Sequence, residues 1–238
     1  VYEVMLKLPT VRFLLADDAG AGKTIMAGLL LRELKLRGLV ERTLIVCPAA
    51  LTFQWQREMR EKFEERFFIL RGPDLRAQYG VNPWKERTQI ITSLDLARRL
   101  DVLPSLRQAG WDLVIVDEAH RMSASAPDKK TLRYKLGELL RDTTDHMVLL
   151  TATPHKGDPD NFTLFLQLLD PDAFADVRSI KRAMEERRAP FYLRRLKEAM
   201  VYFPERRADG TWAAEKIFTK RITHTVDFQI DGAEFDLY

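Results

Sequence analysis

A glycine-rich stretch near the beginning of the chain has the residue types of a phosphate-binding loop. Residues 14–24, LLADDAGAGKT, read as a buried strand, a tight turn and the start of a helix. Gly20 and Gly22 let the backbone curl, so that successive N–H groups can point at phosphate oxygens in front of the positive end of the helix dipole. Lys23 can then contact the outer phosphates of ATP, and Thr24 a magnesium ion. The predicted nucleotide-binding residues are Asp18, Ala19, Gly20, Ala21, Gly22, Lys23 and Thr24.

A second stretch places two neighbouring carboxylates at the end of a predicted strand. In DLVIVDEAH, residues 112–120, the strand delivers Asp117 and Glu118. Two adjacent acids are costly in such a position unless a cation is present. We therefore predict that Asp117 binds Mg²⁺ together with Thr24, and that Glu118 orients the water that attacks the γ-phosphate of ATP. Lys23, Asp117 and Glu118 are the predicted catalytic residues.

A third stretch, LLTATPHKGD at residues 149–158, follows another apolar run. Thr151 and Thr153 bracket a small residue just beyond the predicted strand. Hydroxyl groups in this position can bond both to the acidic stretch and to a neighbouring lobe. Without the other two stretches, this segment would be an ordinary loop.

The composition predicts a globular, intracellular protein. The chain has 238 residues, of which 46% are hydrophobic, enough to fill a sizeable core. Its single cysteine, Cys47, excludes an internal disulfide framework, and its four histidines show no zinc-binding spacing. No apolar run is long enough to span a membrane. A cytoplasmic location fits best. The chain lacks an initiator Met, and its first residues already lie inside a sequence pattern, so we expect a fragment of a longer protein.

Positive charge is concentrated in one segment, although the net charge is only +3. Residues 178–207 contain ten Lys and Arg against four Asp and Glu. This excess is typical either of a solvated helical face or of a surface that contacts nucleic-acid phosphates.

Six short apolar runs predict the strands that position these residues. The runs are RFLLA, TLIVC, FFIL, TQIIT, DLVIV and HMVLL. Continuous apolar runs are typical of strands covered on both faces, which indicates a parallel sheet with crossover helices. Helical patterns follow from Thr24 to Gly38, from Leu51 to Arg66 and from Lys129 to Arg141. The sequence thus predicts an α/β P-loop fold, in which ligands gather at the carboxyl ends of the strands.

These stretches together resemble the superfamily-two helicase-like ATPases, and within them the Snf-type duplex-DNA translocases, bacterial members especially. VDEAH and TATP are similar to the acidic and coupling motifs of that family. TLIVCPAALTFQWQREM carries Pro48, Leu51 and Trp55 at the offsets of a further motif, and TQIITSLDLARR carries Thr92 and Ser93. Near the C-terminal end, FYLRRLKEAM resembles the family's Leu-Arg-Arg-x-Lys stretch, here Leu193, Arg194, Arg195 and Lys197.

The resemblance implies a domain organisation and further roles. It implies a first RecA-like ATPase lobe at residues 1–157, a helical protrusion with the basic segment at 158–209, and a strand and linker toward a second RecA-like lobe at 210–238. His120, Thr151 and Thr153 would couple nucleotide state to nucleic-acid binding. The implied nucleic-acid residues are Pro48, Trp55, Thr92 and Ser93, although a tryptophan on an amphipathic helix is also typical of a core.

The implied function is that of the first motor lobe of an ATP-dependent double-stranded-DNA translocase that uses ATP and Mg²⁺. Three alternatives stay open: a strand-separating DNA or RNA helicase or restriction-type motor, an ATPase that recycles RNA polymerase, and a nucleotide-gated binding module without turnover. An intact Glu118 argues against the last of these.

The sequence departs from the family in several places. Asp17 stands where the strict GxxxxGK[ST] pattern has its first glycine, and Ala49-Ala50 follows Pro48 where many relatives have a hydroxyl residue. No glutamine precedes Gln54, whereas the family reads adenine with an upstream glutamine. Because that glutamine and the second lobe's arginines complete the ATP site, we expect the isolated chain to bind ATP weakly and to hydrolyse it very slowly.

Overall fold

A sheet of seven parallel strands lies within the first 195 residues of the chain. The computed structural model describes residues 1, 5–7, 9–77, 80–124, 126, 128–153, 159–174, 191–193, 201–202 and 215–216. Within them the strands of this sheet are β1 (Arg12–Leu15), β2 (Thr43–Cys47), β3 (Phe68–Leu70), β4 (Gln89–Ser93), β5 (Trp111–Val116), β6 (Thr144–Leu150) and β7 (Tyr192–Leu193). Their order across the sheet is β3-β4-β2-β5-β6-β1-β7. All six predicted strands are therefore confirmed.

Helices cover both faces of the sheet, as predicted. The α-helices of the described residues are α1 (Lys23–Leu36), α2 (Thr52–Phe63), α3 (Gly72–Ala77), α4 (Leu94–Ala97), α5 (Leu103–Arg107), α6 (Leu132–Asp142) and α7 (Pro159–Leu166). Short 3₁₀ helices occur at Met5–Lys7, Ala49–Leu51 and Ala119–Met122. None of the helices in this part of the chain is long and apolar enough to cross a membrane.

Alternate residues of the strands enter two separate hydrophobic clusters. Phe13 and Leu15 of β1 lie in one cluster, with α1 and α2, whereas Leu14 lies in the other, with α4, α5, α6 and α7. All five residues of β2 are buried. Each central strand is thus covered on both faces, which explains why its sequence is continuously apolar rather than alternating.

Helix α1 approaches α2 closely at one glycine. A Cβ atom at Gly28 would lie 2.2 Å from Cε2 of Phe63, which is much closer than van der Waals contact allows. The helix ends as predicted, since Gly38 follows it with a φ of 68°. A glycine adopts this left-handed conformation without a steric penalty.

Two predicted helices are shorter than their sequence patterns. The helix predicted over 51–66 consists of the 3₁₀ turn at Ala49–Leu51 followed by α2, which ends at Phe63 because Glu64 is left-handed, with a φ of 59°. The helix predicted over 129–141 begins later, at Leu132, because Thr131 is its N-cap and accepts a hydrogen bond from the backbone N–H of Tyr134. In both places a local backbone turn, not hydrophobic periodicity, sets the boundary.

The seventh strand was not predicted as such. β7 pairs with β1, and the N–H groups of Leu14 and Ala16 donate to the carbonyls of Phe191 and Leu193 over 2.7 Å each. Two residues give too short a pattern to recognise as a strand. Leu193 is the first residue of the Leu-Arg-Arg-x-Lys stretch, whose other named residues lie outside the described residues.

The chain divides into two compact units, Val1–Arg195 and Leu196–Tyr238. The second unit contains an antiparallel pair of strands, β8 (Val201–Tyr202) and β9 (Glu215–Lys216). Most of the basic segment 178–207, and most of the strand and linker expected at 210–238, lie outside the described residues. The boundaries expected at 157/158 and 209/210 stay predictions.

Candidate functional site

The three stretches that carry the predicted functional residues lie at the same edge of the sheet. Because all seven strands are parallel, their carboxyl ends lie at the same edge, and β6 lies between β5 and β1. The register pairs Val116 with Leu149, and Leu150 with Leu15. The acidic pair after β5, the threonines after β6 and the glycine-rich loop after β1 therefore follow three neighbouring strands.

The glycine-rich loop has the backbone conformation that its sequence predicts. Gly20 and Gly22 have φ angles of 74° and 83°, in the left-handed region that glycine adopts most readily. Helix α1 begins immediately afterwards at Lys23, and Gly22 caps it without any side-chain hydrogen bond. The first N–H groups of a helix have no partner within the helix, so this end can bind an anion.

Lys23 lies against the backbone of this loop. Its Nζ donates to the carbonyl oxygens of Asp17 and Asp18, over 2.9 and 3.1 Å. An ammonium group has three donors, so these two bonds do not exhaust it. Asp17, which replaces the first glycine of the strict pattern, is fully buried at the end of β1.

The carboxylate of Asp117 is held through both of its oxygens. Oδ1 accepts a hydrogen bond of 2.9 Å from the backbone N–H of Glu118, and Oδ2 accepts one of 2.9 Å from the indole Nε1–H of Trp55. Trp55 lies on α2, beyond the neighbouring strand β2. No sequence pattern indicates this contact, which joins residues 62 positions apart.

Glu118 has an unusual backbone conformation. Its φ of 49° is left-handed, which costs a non-glycine residue about 1 kcal/mol. Such strain is found where the surrounding structure fixes a functional residue. The turn separates the directions of the two neighbouring carboxylates, because Asp117 faces Trp55 while Glu118 faces His120.

His120 joins the acidic stretch to the end of β6. Its Nδ1 lies 3.2 Å from Oε2 of Glu118 and 3.0 Å from Oγ1 of Thr151. The contact with Glu118 is an ion pair only when the imidazole is protonated, whereas the bond to Thr151 can form in either direction. The Thr151 hydroxyl also accepts a hydrogen bond of 3.1 Å from the backbone N–H of Thr153. The three predicted coupling residues are thus joined by hydrogen bonds, and His120 also lies in ion-pair distance of Glu118.

A protonated thiol lies near Asp117. Burial, and secondly the charge of Asp117, raise the pKa of Cys47 to about 12. The Cys47 side chain is therefore neutral at physiological pH and adds no negative charge beside Asp117.

The residues expected to bind nucleic acid follow the next strands along the same edge. β2 and β4 are neighbours, with Cys47 paired to Ser93, so Pro48 and Ser93 both lie at their carboxyl ends. Both residues are partly exposed. The Ser93 side chain also caps α4, accepting a hydrogen bond of 3.2 Å from the N–H of Leu96.

The side chains of Trp55 and Thr92 do not belong to an exposed surface. Trp55 is 3% exposed and Thr92 is 0% exposed. The Thr92 hydroxyl donates to the carbonyl of Leu70, and the Trp55 indole to Asp117. Direct nucleic-acid contact through these two side chains stays a prediction, which their burial and internal hydrogen bonds do not favour.

Two residues that the sequence did not single out lie on the exposed side of this edge. Phe53, on the first turn of α2, is 60% exposed. The guanidinium carbon of Arg71, just after β3, lies 4.6 Å from the centre of its ring. Phe53 precedes the buried Trp55 by two residues, so helical periodicity could have identified it as outward-facing.

The donors at the site fit a magnesium ion. The hydroxyl of Thr24 and the carboxylate of Asp117 are hard oxygen ligands, which Mg²⁺ prefers over nitrogen or sulfur. Mg²⁺ is usually bound by only one or two protein groups together with water and phosphate oxygens. Thr24 and Asp117 would hold the ion, and it would neutralise charge on the phosphates.

Comparison with known proteins decides the family. The profile of the SNF2-related domain matches residues 3–238. This chain belongs to the SNF2-related domain family. The Snf-type resemblance of the sequence motifs is thereby confirmed.

Curated relatives of this SNF2-related domain include bacterial RNA polymerase-associated proteins. It is 39% identical over 184 residues to the RNA polymerase-associated protein RapA of Yersinia pestis (strain Pestoides F), covering 74% of this chain and 18% of that protein. For RapA of Yersinia enterocolitica serotype O:8 the identity is 40% over 172 residues, covering 69% of this chain and 17% of that protein. The chain spans less than a fifth of the length of these relatives.

Solved structures show the same fold. The SWI2/SNF2 ATPase core of Sulfolobus solfataricus in complex with double-stranded DNA matches with a TM-score of 0.63 and 24% identity, over 81% of this chain and 42% of that chain. The core domain from the same organism matches with a TM-score of 0.60 and 23% identity, over 81% and 40% of the two chains. The predicted α/β, RecA-like architecture of the SNF2-related domain is confirmed.

Proposed function

We propose that this SNF2-related domain binds ATP with Mg²⁺ and is the first motor lobe of a translocase that moves along double-stranded DNA. The observation that supports this most directly is the division of one sheet edge into two halves. The ends of β1, β6 and β5 carry the nucleotide residues, and the ends of β2, β4 and β3 carry Pro48, Ser93 and Arg71. Asp117, at the end of β5, lies where the two halves join.

In the nucleotide half, each residue has a distinct role. Backbone N–H groups of residues 18–24 and the ammonium of Lys23 bind the phosphates, and the N–H of Ala21, which donates to the carbonyl of Asp18 over 3.1 Å, would have to exchange that partner. Thr24 and Asp117 hold the magnesium ion. Glu118 orients the attacking water and accepts its proton, a role typically worth about 10² to 10⁴ in rate.

We assign the coupling to the contact between Glu118 and His120. The imidazole Nδ1 lies 3.2 Å from one oxygen of this carboxylate. A movement of Thr151 or Thr153 changes the position of His120, and with it the orientation of this carboxylate. A second lobe that contacts the β6 end could therefore switch Glu118 between this partner and the water.

In the other half, partly exposed and basic groups form the surface that we assign to DNA. Pro48, Ser93 and Arg71 lie at or just after the ends of neighbouring strands, and Phe53 lies on the first turn of α2 beside Arg71. Hydroxyls, backbone amides and arginines contact phosphates without reading bases, so binding is expected to be largely independent of sequence. The structurally similar Sulfolobus ATPase core was solved with double-stranded DNA, which supports duplex as the first substrate to test.

Stimulation of ATP hydrolysis tests this assignment in the full-length protein. Duplex DNA is expected to stimulate more than single-stranded DNA or RNA. Arg71→Ala is expected to reduce the salt slope of duplex binding by about 1, because one phosphate contact is lost. Arg37→Ala is a matched control, since Arg37 lies at the other end of α1 and pairs with Glu33. Stimulation by RNA or single strands alone would favour the strand-separating alternative.

The isolated 238-residue chain offers a comparison. We propose that it binds ATP weakly and hydrolyses it near background, because arginines supplied by a partner lobe are worth about 10³ to 10⁵ in rate in related enzymes. Turnover near one per second, within the roughly 1 to 10³ per second typical of enzymes, would overturn this.

A second candidate function is action on transcription complexes. The RapA proteins, to which this chain is 39–40% identical, are RNA polymerase-associated. Binding of the full-length protein to core RNA polymerase, measured in the presence of nuclease, tests this directly. Nuclease-resistant binding would support it, and complete dependence on intact DNA would not.

A further inference from the structure

The hydrogen bond between Trp55 and Asp117 joins two functionally separate parts of the site. Nε1 of Trp55 lies 2.9 Å from Oδ2 of Asp117, and the Trp55 ring is 3% exposed. The other carboxylate oxygen accepts from the N–H of Glu118. Both oxygens are thus fixed, and one of the two donors comes from a helix outside the nucleotide half.

The indole of Trp55 differs from those of two other buried tryptophans. Trp84 is 0% exposed and Trp111 is 3% exposed, yet among the described residues neither indole N–H has a hydrogen-bond partner. A buried tryptophan can therefore be accommodated in this protein without such a bond. Packing alone does not require Trp55 to point its N–H at the carboxylate expected to bind magnesium.

Helix α2 presents its two faces to the two halves of the edge. Phe53 is 60% exposed beside Arg71, whereas Trp55, two residues later, points inward. Residues two apart on an α-helix lie on nearly opposite faces. Trp55, Met59 and Phe63 pack in the cluster that also contains α1, so α2 rests on the helix that begins at the phosphate loop.

We propose that Trp55 is a positioning residue that orients Asp117 for magnesium, and that it links α2 on the DNA side to the metal ligand. The link rests on the proposed function, but the positioning of Asp117 does not require DNA. A group that donates a hydrogen bond to a metal-binding side chain fixes the orientation of that side chain. Loss of the donor typically lowers metal affinity or activity about 10- to 100-fold. A shift of α2 on DNA would move the indole and thereby the carboxylate.

Magnesium titration of nucleotide binding tests the positioning role without turnover. Binding of a fluorescent ATP analogue to the full-length protein is measured in a Glu118→Gln background, at increasing Mg²⁺ and also in EDTA. Trp55→Phe and Trp55→Met both remove the hydrogen-bond donor but fill the space of the indole differently. If one variant does not fold, the other still tests the positioning role. Each is expected to raise the half-saturating Mg²⁺ about tenfold while leaving affinity in EDTA unchanged.

Trp84→Phe is the matched control, because it removes the same indole N–H from a buried ring that has no such partner among the described residues. Its half-saturating Mg²⁺ should equal that of the parent. An unchanged Mg²⁺ requirement in both Trp55 variants, or an equal shift in Trp84→Phe, would overturn the proposal. So would an equal loss of affinity in EDTA, which indicates a general disturbance of the site.

A double-variant cycle identifies the residue through which Trp55 acts. In an Asp117→Asn background, Trp55→Phe should produce little further change in the Mg²⁺ requirement, because the ligand that it orients has already lost its charge. Full additivity would contradict the mechanism.

The ratio of duplex-stimulated to basal ATPase, measured with Glu118 restored, tests the link to α2. This ratio should fall in Trp55→Phe but not in Trp84→Phe. If duplex DNA does not stimulate the ATPase of the parent protein, the proposed function is wrong. The magnesium titration still tests the positioning role of Trp55 in that case.

Discussion

His120 and Thr151 lie within hydrogen-bonding distance, Nδ1 to Oγ1 at 3.0 Å, although they follow different strands. The same imidazole nitrogen is 3.2 Å from Oε2 of Glu118. The end of β6 therefore contacts the proposed catalytic carboxylate through one side chain. Thr151 is fully buried, so its hydroxyl has a fixed position from which to hold the imidazole.

Removing the Thr151 hydroxyl should uncouple hydrolysis from DNA binding. Thr151→Val keeps the shape of the side chain but loses its bonds to His120 and to the N–H of Thr153. We expect duplex-stimulated ATPase to fall about three- to tenfold, the equivalent of one hydrogen bond, with nucleotide affinity unchanged. Thr144→Val, at the opposite end of the same strand, is the control and should leave the stimulated rate unaltered. A parallel loss of nucleotide affinity in Thr151→Val would contradict a coupling role.

Substitution of Lys23 and of Glu118 should separate binding from chemistry. Lys23→Ala removes the cation that faces the outer phosphates and should weaken ATP binding roughly 10- to 100-fold. Glu118→Gln should leave binding intact and lower hydrolysis by about 10² or more. Titration with a fluorescent ATP analogue and single-turnover hydrolysis measure the two effects. Parental hydrolysis by Glu118→Gln would show that another group orients the water.

Gly28 should tolerate no side chain, because α1 and α2 meet there. A Cβ at this position would lie 2.2 Å from the Phe63 ring, so Gly28→Ala should lower the free energy of unfolding by about 1–3 kcal/mol despite the better helix propensity of alanine. Gly72→Ala, where a Cβ would meet nothing within 4 Å, is the control. Denaturant unfolding measures both, and the additional change Phe63→Leu should restore part of the loss. Equal stability of Gly28→Ala and the parent would mean that the two helices separate easily.

Stability should fall in acid through Glu65. Its carboxylate is 4% exposed and accepts hydrogen bonds from Lys35, Gln89 and Arg32, over 2.6, 2.7 and 3.3 Å. Burial raises the pKa of Glu65, but the hydrogen bonds from Lys35 and Gln89 outweigh it and leave the pKa below its usual value. The folded state therefore binds this proton less readily than the unfolded state. The stabilisation is complete above the unfolded pKa of about 4.3 and is lost as pH falls through the lower folded pKa.

Glu65→Gln tests this acid dependence. At neutral pH the variant should be less stable by about 2 kcal/mol, because the partly exposed Lys35 loses its charged partner. The difference from the parent should shrink as pH falls below the unfolded pKa of about 4.3, because the unfolded parent then binds the proton while the folded parent still resists it. Denaturant unfolding at both pH values measures the change, with Asp101→Asn in an exposed ion pair as the control. A difference that stays constant down to the lower pH would contradict the assigned ionisation.

Local patterns in the sequence were sufficient for the parts of the fold that depend on neighbouring residues. The phosphate loop was predictable because Gly20 and Gly22 shape the backbone locally and Lys23 lies next to them in sequence. The acidic pair was predictable because the strand that delivers it is continuously apolar. The six longer strands followed from the same apolar runs.

Contacts between distant segments were not predictable in this way. β7 is a strand only because its two residues pair with β1, and its own pattern is too short to be recognised. The sequence placed Trp55 on an amphipathic helix, but not the partner of its indole, because that partner depends on where α2 crosses the end of β5. Glu64 ends α2 in a left-handed conformation that glycine adopts more readily than glutamate. The end of this helix could therefore not be predicted from the residue type.

The most direct test of DNA translocation is displacement of a third strand from a DNA triplex by the full-length protein and ATP. Opening of a forked duplex is measured in parallel, and Glu118→Gln is the control that binds ATP without hydrolysing it. We predict ATP-dependent displacement of the third strand, no opening of the fork, and neither activity in Glu118→Gln. Efficient fork opening, or no displacement despite ATPase stimulated by duplex DNA, would contradict movement along double-stranded DNA.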